Sequence, residues 1–230
     1  MKKMLKTAAV LAAILMAFTL GACSDDDGSG SGSGGGGETF KKFDVPANTY
    51  DTYYVNKAGD ISAEKKDGYD FKVTIFENEL NPYTCYLDEY TGSDSSLSIP
   101  EGITRIGSRA FNGCEELTSV ILPKGIDSLS DSAFYNCAAL TTVEFKGVIV
   151  DGAYKGYIYG QAFMYCDKLV TVKYAGTKEQ WKSIECGGDR FIGSICCYTE
   201  DDYSGEKLIV ECKDGKIRWN SLKNAWVDAD

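Results

Sequence analysis

One stretch of the chain repeats itself, and this repetition limits the possible folds more than any other feature. Segments 97–120 and 121–143 carry the same residue types at the same positions. The matching pairs, each 23 residues apart, are Pro100 and Pro123, Ala110 and Ala133, Phe111 and Phe134, Cys114 and Cys137, Leu117 and Leu140, and Val120 and Val143. One copy alone cannot bury its apolar face, whereas stacked copies bury a shared column. The sequence therefore predicts a solenoid in which each copy forms one coil.

A third copy follows at Ala162–Cys166, at an offset of 29 residues. The extra residues fall before it, and we predict that Asp151–Gly156 forms a protruding loop. About three repeats are thus expected over 97–174. Their inward ladder is Phe111, Cys114, Leu117, Val120, Phe134, Cys137, Leu140, Val143, Phe163, Cys166, Leu169 and Val172.

Each copy contains two apolar stretches with different periods. The residues around Val120 and Val143 alternate in polarity, which predicts strands that pair side by side. Ile103, Ile106, Ile126 and Leu129 provide a second inward stretch. The pattern Ser-x-x-Ala-Phe-x-x-Cys between them predicts a short helical turn. The expected fold class is an α/β repeat solenoid.

The pattern IPxGIxxIGxxAFxxCxxLTSVxLP resembles the BspA-like leucine-rich repeats of bacterial surface proteins, over about residues 86–174. The resemblance implies a leucine-rich-repeat solenoid. It also implies a binding function, because BspA-like proteins are associated with attachment to host matrix proteins and to other cells. Protein partners and a monomeric chain are expected on this basis.

The flanking segments have weaker patterns. Residues 38–96 are interpreted as an N-terminal cap region with a strand at Tyr69–Glu77, or as a disordered extension as far as about residue 65. In 175–230 we predict a C-terminal cap. Thr177 and Gln180 have capping-box spacing for a short helix through Trp181 and Ile184. A hairpin is predicted from Lys207–Cys212 and Ile217–Trp219 with a turn at Asp214-Gly215, closing the edge of the solenoid.

The first 22 residues have the composition of an export signal. Three lysines precede an apolar run, Ala8–Leu20, that is too short to span a bilayer. Leu20-Gly21-Ala22-Cys23 resembles the lipobox of bacterial lipoproteins, which implies cleavage before Cys23 and acylation of its thiol. The alternative is ordinary secretory cleavage beside an incidental cysteine.

The composition of residues 23–37, acidic at first and then rich in Gly and Ser, predicts a tether. Ser24–Asp27 is similar to the acidic export tags of surface lipoproteins in Bacteroidetes-type bacteria, although it also suits the start of a solvated linker. The expected location is the outer membrane at the cell surface, with membrane contact through the lipid anchor only.

Composition excludes several kinds of chemistry. The chain has no histidine, so Ser–His–Asp and Cys–His catalysis are excluded. A formal net charge of -10 disfavours nucleic acid as a partner. Neither a cofactor nor a metal site is predicted, because Cys-x-x-Cys pairs and phosphate-binding loops are lacking. We predict buried thiols rather than disulfides for Cys114, Cys137 and Cys166, and allow one disulfide among Cys186, Cys196, Cys197 and Cys212.

These observations favour a surface binding or adhesion protein over an enzyme. The outward strand positions Ile121, Glu144 and Lys173 are one candidate binding surface, and Tyr154 and Tyr157 beside the insertion are another. A structural scaffold lipoprotein of the envelope is the alternative. A carboxylate-based glycan hydrolase is a third hypothesis, since paired acids such as Glu115-Glu116 can hydrolyse glycosides.

Overall fold

Short strands dominate the structure, a computed structural model that describes residues 42–77, 83–147, 157–159, 161–187, 207–220, 222–223 and 225–229. The strands are β1 (Thr49–Val55), β2 (Ile61–Ser62), β3 (Phe71–Glu77), β4 (Thr84–Tyr90), β5 (Ser96–Ser98), β6 (Arg105–Ile106), β7 (Ser119–Leu122), β8 (Ser128–Leu129), β9 (Thr142–Phe145), β10 (Tyr157–Tyr159), β11 (Thr171–Tyr174), β12 (Glu185–Gly187), β13 (Ile209–Cys212), β14 (Gly215–Asn220) and β15 (Ala225–Ala229), and the helix α1 is Lys178–Lys182.

Several predictions lie outside these residues: the signal peptide, Cys23, the tether, the Asp151–Gly156 loop with Tyr154, and Cys196 and Cys197. None of the helices in the described ranges has the length and apolar character needed to cross a membrane.

The strands form two sheets that the chain visits alternately. An eight-stranded sheet has the order β12-β10-β8-β6-β4-β3-β1-β2, and a seven-stranded sheet has the order β15-β14-β13-β11-β9-β7-β5. From β4 to β13, each strand of one sheet is followed by a strand of the other, and neighbours within each sheet run parallel. This alternation is a repeat fold in which each coil adds one strand to each sheet.

The core lies on the inward face of both sheets. Val120, Val143 and Val172 are direct register partners in the seven-stranded sheet, and each is fully buried. Ile106 and Leu129 are equivalent partners in the eight-stranded sheet. All the predicted ladder residues are buried except Cys114, which is half-buried. Both apolar stretches therefore face the core of the repeat region.

An aromatic column runs through the coils and extends beyond the predicted repeats. Ring centroids are 5.2 Å apart for Tyr90 and Phe111, 4.7 Å for Phe111 and Phe134, and 5.1 Å for Phe134 and Phe163. The Tyr90 N–H donates to the Ala110 carbonyl, as the Phe111 N–H donates to that of Ala133. Residues 84–98 therefore pack as the repeats do, although the sequence analysis assigned 84–96 to the cap region.

The predicted helical turn of each repeat is absent, and two tight turns replace it. Arg109 and Gly113 have φ values of 58° and 71°. The equivalent pairs in the next coils are also left-handed, namely Ser132 (56°) with Asn136 (58°) and Gln161 (66°) with Tyr165 (61°). A left-handed residue cannot continue a right-handed helix. The α/β assignment is therefore corrected to a strand-rich repeat fold. Among the described residues, α1 is the only α-helix.

The flanks contain more regular structure than the sequence indicated. The predicted strand at Tyr69–Glu77 is confirmed as β3, which pairs antiparallel with both β1 and β4. Because β1 and β2 also pair, the alternative of disorder does not hold for 49–62.

The structure contains a C-terminal helix and hairpin whose ends differ from those predicted. Thr177 caps α1 in a reciprocal capping box with Gln180. The helix ends at Lys182, so Ile184 lies beyond it. Cys212 pairs with Gly215, so the hairpin turn is Lys213-Asp214, one residue earlier than predicted. Strand β15, which the sequence analysis missed, pairs with β14.

Candidate interaction surfaces

The predicted outward residues of the seven-stranded sheet form one continuous column. Ile121 is the register partner of Glu144, and Glu144 is the partner of Lys173. Their chain neighbours Val120, Val143 and Val172 point into the core, so these three side chains point outward. Ile121 and Glu144 are half-buried and Lys173 is exposed. The structure therefore brings this part of the predicted set together.

This column continues onto the C-terminal strands with alternating charges. Lys173 pairs in register with Glu211, and Glu211 with Lys216. The Lys216 Nζ lies 2.7 Å from Glu211 Oε1, and this bond lowers the pKa of Glu211, with a smaller effect from Lys173. Such an exposed pair adds only about 0–1 kcal/mol to stability. We call Ile121, Glu144, Lys173, Glu211 and Lys216 the charged column.

A column of small hydroxyl side chains runs beside the charged column. Its members, in register order from β5 to β11, are Ser96, Ser119, Thr142 and Thr171. Ser119 Oγ donates to Ser96 Oγ at 2.8 Å. Because these side chains are short, they project little from the sheet, and their hydroxyl groups make this part of the face polar. A partner can therefore approach the sheet closely and exchange hydrogen bonds with it.

Tyr157 lies on the other sheet and not beside the charged column. It belongs to β10, where it is the register partner of Ser128 in the eight-stranded sheet. Its ring meets that of Tyr159 edge-on, with centroids 4.1 Å apart. The predicted binding residues therefore fall on two separate surfaces, and Tyr154 lies outside the described residues.

The sequence analysis missed an aromatic group on the outward face of the eight-stranded sheet. Tyr50, Phe76 and Tyr86 lie on the neighbouring strands β1, β3 and β4. The ring centroids of Tyr50 and Phe76 are 4.4 Å apart, and those of Phe76 and Tyr86 are 5.7 Å apart. One signal was available: in the predicted strand Tyr69–Glu77, Phe76 occupies the outward phase.

Arg105 stands at one end of this aromatic group. Its guanidinium lies 5.3 Å from the Tyr86 ring centroid, and its Nη1 donates to the Tyr86 hydroxyl at 2.6 Å. Its Nε lies 2.9 Å from Asp127 Oδ1. Burial raises the pKa of Asp127, although Arg105 acts in the opposite direction. Arg105 is therefore held in place from two sides.

The cysteine ladder has a packing role. Cys137 Sγ donates to the Phe111 carbonyl at 3.1 Å, and Cys166 Sγ donates to that of Phe134 at 3.0 Å. The thiols of Cys114, Cys137 and Cys166 are free, as are those of Cys85 and Cys212. Within the described ranges, no group of three or more Cys, Asp or Glu residues is arranged to hold a metal ion.

Residues 85–185 match a family model described as "BspA type Leucine rich repeat region", in six copies. The sequence pattern alone indicated about three. Among curated proteins, no relative matches.

Three solved structures are similar. A T. pallidum leucine-rich-repeat protein is 17% identical with a TM-score of 0.39, over 49% of this chain and 54% of that one. A Bacteroides ovatus leucine-rich-repeat protein is 19% identical with a TM-score of 0.35, over 60% and 39%. A leucine-rich cell surface protein from Faecalibacterium prausnitzii is 20% identical with a TM-score of 0.25, over 52% and 41%.

The chain thus spans roughly half or less of the length of these proteins. The family match rests on the same residues whose strands alternate between the two sheets. Residues 85–185 of this chain are therefore a region of BspA-type leucine-rich repeats.

Proposed function

We propose that this chain is a lipid-anchored cell-surface protein that binds other proteins through the outward face of its seven-stranded sheet. The charged column is the observation that carries this proposal. Its residues come from five neighbouring strands whose opposite faces pack in the core. A face held in this way is rigid, so little conformational entropy is lost when a partner binds.

The chemistry of the face suits recognition of a protein. Glu144, Lys173, Glu211 and Lys216 alternate in sign along the column. Such a pattern favours a partner with the complementary order of charges and repels one that is shifted by a single strand. Ile121 adds an apolar contact at one end. Leucine-rich-repeat proteins generally mediate protein–protein interaction, and repeat arrays offer extended surfaces for it.

The N-terminal residues supply the proposed attachment to the outer membrane. Acyl chains on Cys23 would contribute roughly 0.8 kcal/mol per buried methylene. Residues 24–37 are acidic and then rich in Gly and Ser, a composition that suits the proposed tether. Incorporation of labelled palmitate that is lost in Cys23→Ser tests the anchor.

The end strands would act as caps in this proposal. Strands β1–β3 lie at one end of the eight-stranded sheet, and β14 and β15 lie at one end of the seven-stranded sheet. Antiparallel strands at these ends would block the addition of further coils and keep the chain monomeric. We assign the protein neither a catalytic residue nor a cofactor. By family resemblance, its partners are host matrix proteins or proteins of other cells.

A matched pair of charge swaps tests the binding face. The variant Glu144→Lys/Lys173→Glu inverts two charges of the column and conserves net charge. The control Glu116→Lys/Lys168→Glu makes the same swap at two exposed turn positions. A protein captured from host or bacterial extracts by the wild type and the control, and lost with the column variant, supports the proposal. Equal capture by both variants contradicts it.

Protease treatment of intact cells separates the proposal from the scaffold alternative. A surface protein is removed by the protease, whereas a periplasmic scaffold is protected. Protection of the chain in intact cells, together with cleavage in lysed cells, would reject the proposed location.

A further inference from the structure

The outward face of the eight-stranded sheet carries a second surface, which we call the aromatic row: Tyr50, Phe76 and Tyr86, with Arg105 at one end. These residues lie on four neighbouring strands, β1, β3, β4 and β6. Tyr50 is 73% exposed. Because large aromatic side chains are usually buried, a ring this exposed within an ordered row is a candidate contact site.

The rings of the aromatic row meet edge to face. The planes of Tyr50 and Phe76 are inclined by 69°, and those of Phe76 and Tyr86 by 73°. The row is therefore not a flat platform on which a sugar ring could stack. It presents ring faces and edges in alternation, which suits contact with the side chains of a peptide better than stacking of a planar group.

The same sheet already places the protein's own cations over tyrosine rings. Lys65 Nζ lies 5.8 Å from the Tyr54 ring centroid, and the Arg105 guanidinium lies 5.3 Å from that of Tyr86. Tyr54 and Tyr50 share the outward phase of β1, since their register partners are Lys72 and Phe76. The outward face that carries the Tyr50 ring thus already holds cations against two other tyrosine rings.

Charge favours the same kind of ligand. Asp88 lies on β4 beyond Tyr86 and points outward, because its Oδ2 accepts a hydrogen bond of 2.6 Å from Thr74 Oγ1 on the outward phase of β3. The chain has a formal net charge of -10 and a pI of about 4.6. This charge steers cations toward the protein, and Asp88 provides a carboxylate beside the row.

We propose that the aromatic row binds an extended basic peptide segment, with an Arg or Lys side chain over the Tyr50 ring and a second near Asp88. Four strands at a spacing of about 4.8 Å make a row about 14 Å long, which matches roughly four residues of extended peptide. This inference does not rest on the charged column, which lies on the other sheet.

Binding of synthetic peptides to the mature chain tests this proposal by fluorescence anisotropy. The probe is a labelled peptide of alternating Arg and Pro, and the matched control peptide has Glu in place of Arg. We expect the Arg peptide to bind with a Kd that rises with salt, and the Glu peptide not to bind. Tyr50→Ala should weaken binding about two- to fivefold, which is the effect of one exposed cation–π contact.

Three further variants sharpen the test. Tyr50→Phe keeps an aromatic face and should bind the Arg peptide as the wild type does. Asp88→Asn should weaken binding and reduce its salt dependence. Leu222→Ala, at a side chain that is 95% exposed, should have no effect. Unchanged binding in Tyr50→Ala, equal binding of the Glu peptide, or binding of a neutral oligosaccharide in place of the Arg peptide would each overturn the proposal.

Discussion

The rings of Phe111 and Phe134 stack in successive coils, with centroids 4.7 Å apart and planes only 5° from parallel. Each ring is fully buried. The Phe111 N–H also donates to the carbonyl of Ala133, the residue before Phe134, at 2.9 Å. Ring stacking and a backbone hydrogen bond thus join the two coils at the same point, so loss of one ring should affect both of its neighbours.

We expect Phe134→Ala to lower the free energy of unfolding by about 3–5 kcal/mol, because it removes the middle ring and leaves a cavity between two coils. Urea denaturation followed by circular dichroism measures this change. Leu222→Ala, at a side chain that is 95% exposed, serves as a control and should change stability by less than about 0.5 kcal/mol. A loss below about 1 kcal/mol in Phe134→Ala would show that the column does not stabilise the fold.

The left-handed turns allow a test that is free of packing effects. A Cβ added at Gly113, which has φ of 71°, meets no atom within 4 Å. Gly113→Ala should therefore cost about 1–2 kcal/mol for conformational reasons alone. Gly113→Asn should cost less, because Asn136 holds the equivalent position with φ of 58°. If Asn and Ala were equally destabilising in thermal melts, the proposed equivalence of these positions would be wrong.

The fold could be predicted where spacing alone determined it. Residues such as Phe111 and Phe134 recur at a fixed interval, so successive coils can bury them by stacking. The positions that point inward could therefore be read from the spacing. The turns could not be predicted in the same way. Arg109, Ser132 and Gln161 adopt positive φ values although their residue types do not favour them. The neighbouring contacts of the stacked coils, and not local preference, fix these conformations.

The two candidate surfaces also differ in how far they could be predicted from the sequence. The positions of Ile121, Glu144 and Lys173 were predictable, because the repeat brings equivalent residues side by side. The aromatic row was missed because Tyr50, Phe76 and Tyr86 lie in β1, β3 and β4, whose antiparallel pairing follows no repeat. Only Phe76 belonged to a strand that had been predicted.

The capping box of α1 predicts a measurable contribution to the stability of the C-terminal part. Thr177→Ala removes the side chain that accepts from the Gln180 N–H at 3.2 Å, so we expect a loss of about 1 kcal/mol. Thr177→Ser keeps the hydroxyl and should retain most of the stability. Tryptophan fluorescence reports the local transition, because the three tryptophans of the chain, Trp181, Trp219 and Trp226, all lie in this part. Equal transitions in the Ala and Ser variants would contradict a capping role.

Thiols that the fold shields from water predict a loss of stability at alkaline pH. Burial raises the pKa of Cys212 to about 11, and it also raises that of Cys85. A thiol in the unfolded chain ionises near pH 8.5. The folded state therefore binds these protons more tightly, and the resulting stability is fully present below about pH 8.5 and lost as pH rises toward 11.

The urea concentration at the unfolding midpoint should consequently decrease as the pH is raised from 7.5 to 10.5. A reductant is present throughout the measurement. Cys212→Ala should show a smaller fall than the wild type, because one of the titrating groups has been removed. A midpoint that stays constant or rises over this range would contradict the direction of the pKa shifts.

Site-specific photo-crosslinking in intact cells tests the central claim most directly. A photoreactive amino acid is placed at Ile121, on the charged column, and in a second strain at Glu116, on an exposed turn. If the charged column is a protein-binding face, position 121 crosslinks to a discrete protein partner. In that case the substitutions Glu144→Lys/Lys173→Glu abolish the crosslinked product, and position 116 gives no crosslinked product. Crosslinks of equal yield from both positions, or a product from position 121 that survives the charge swap, would contradict it.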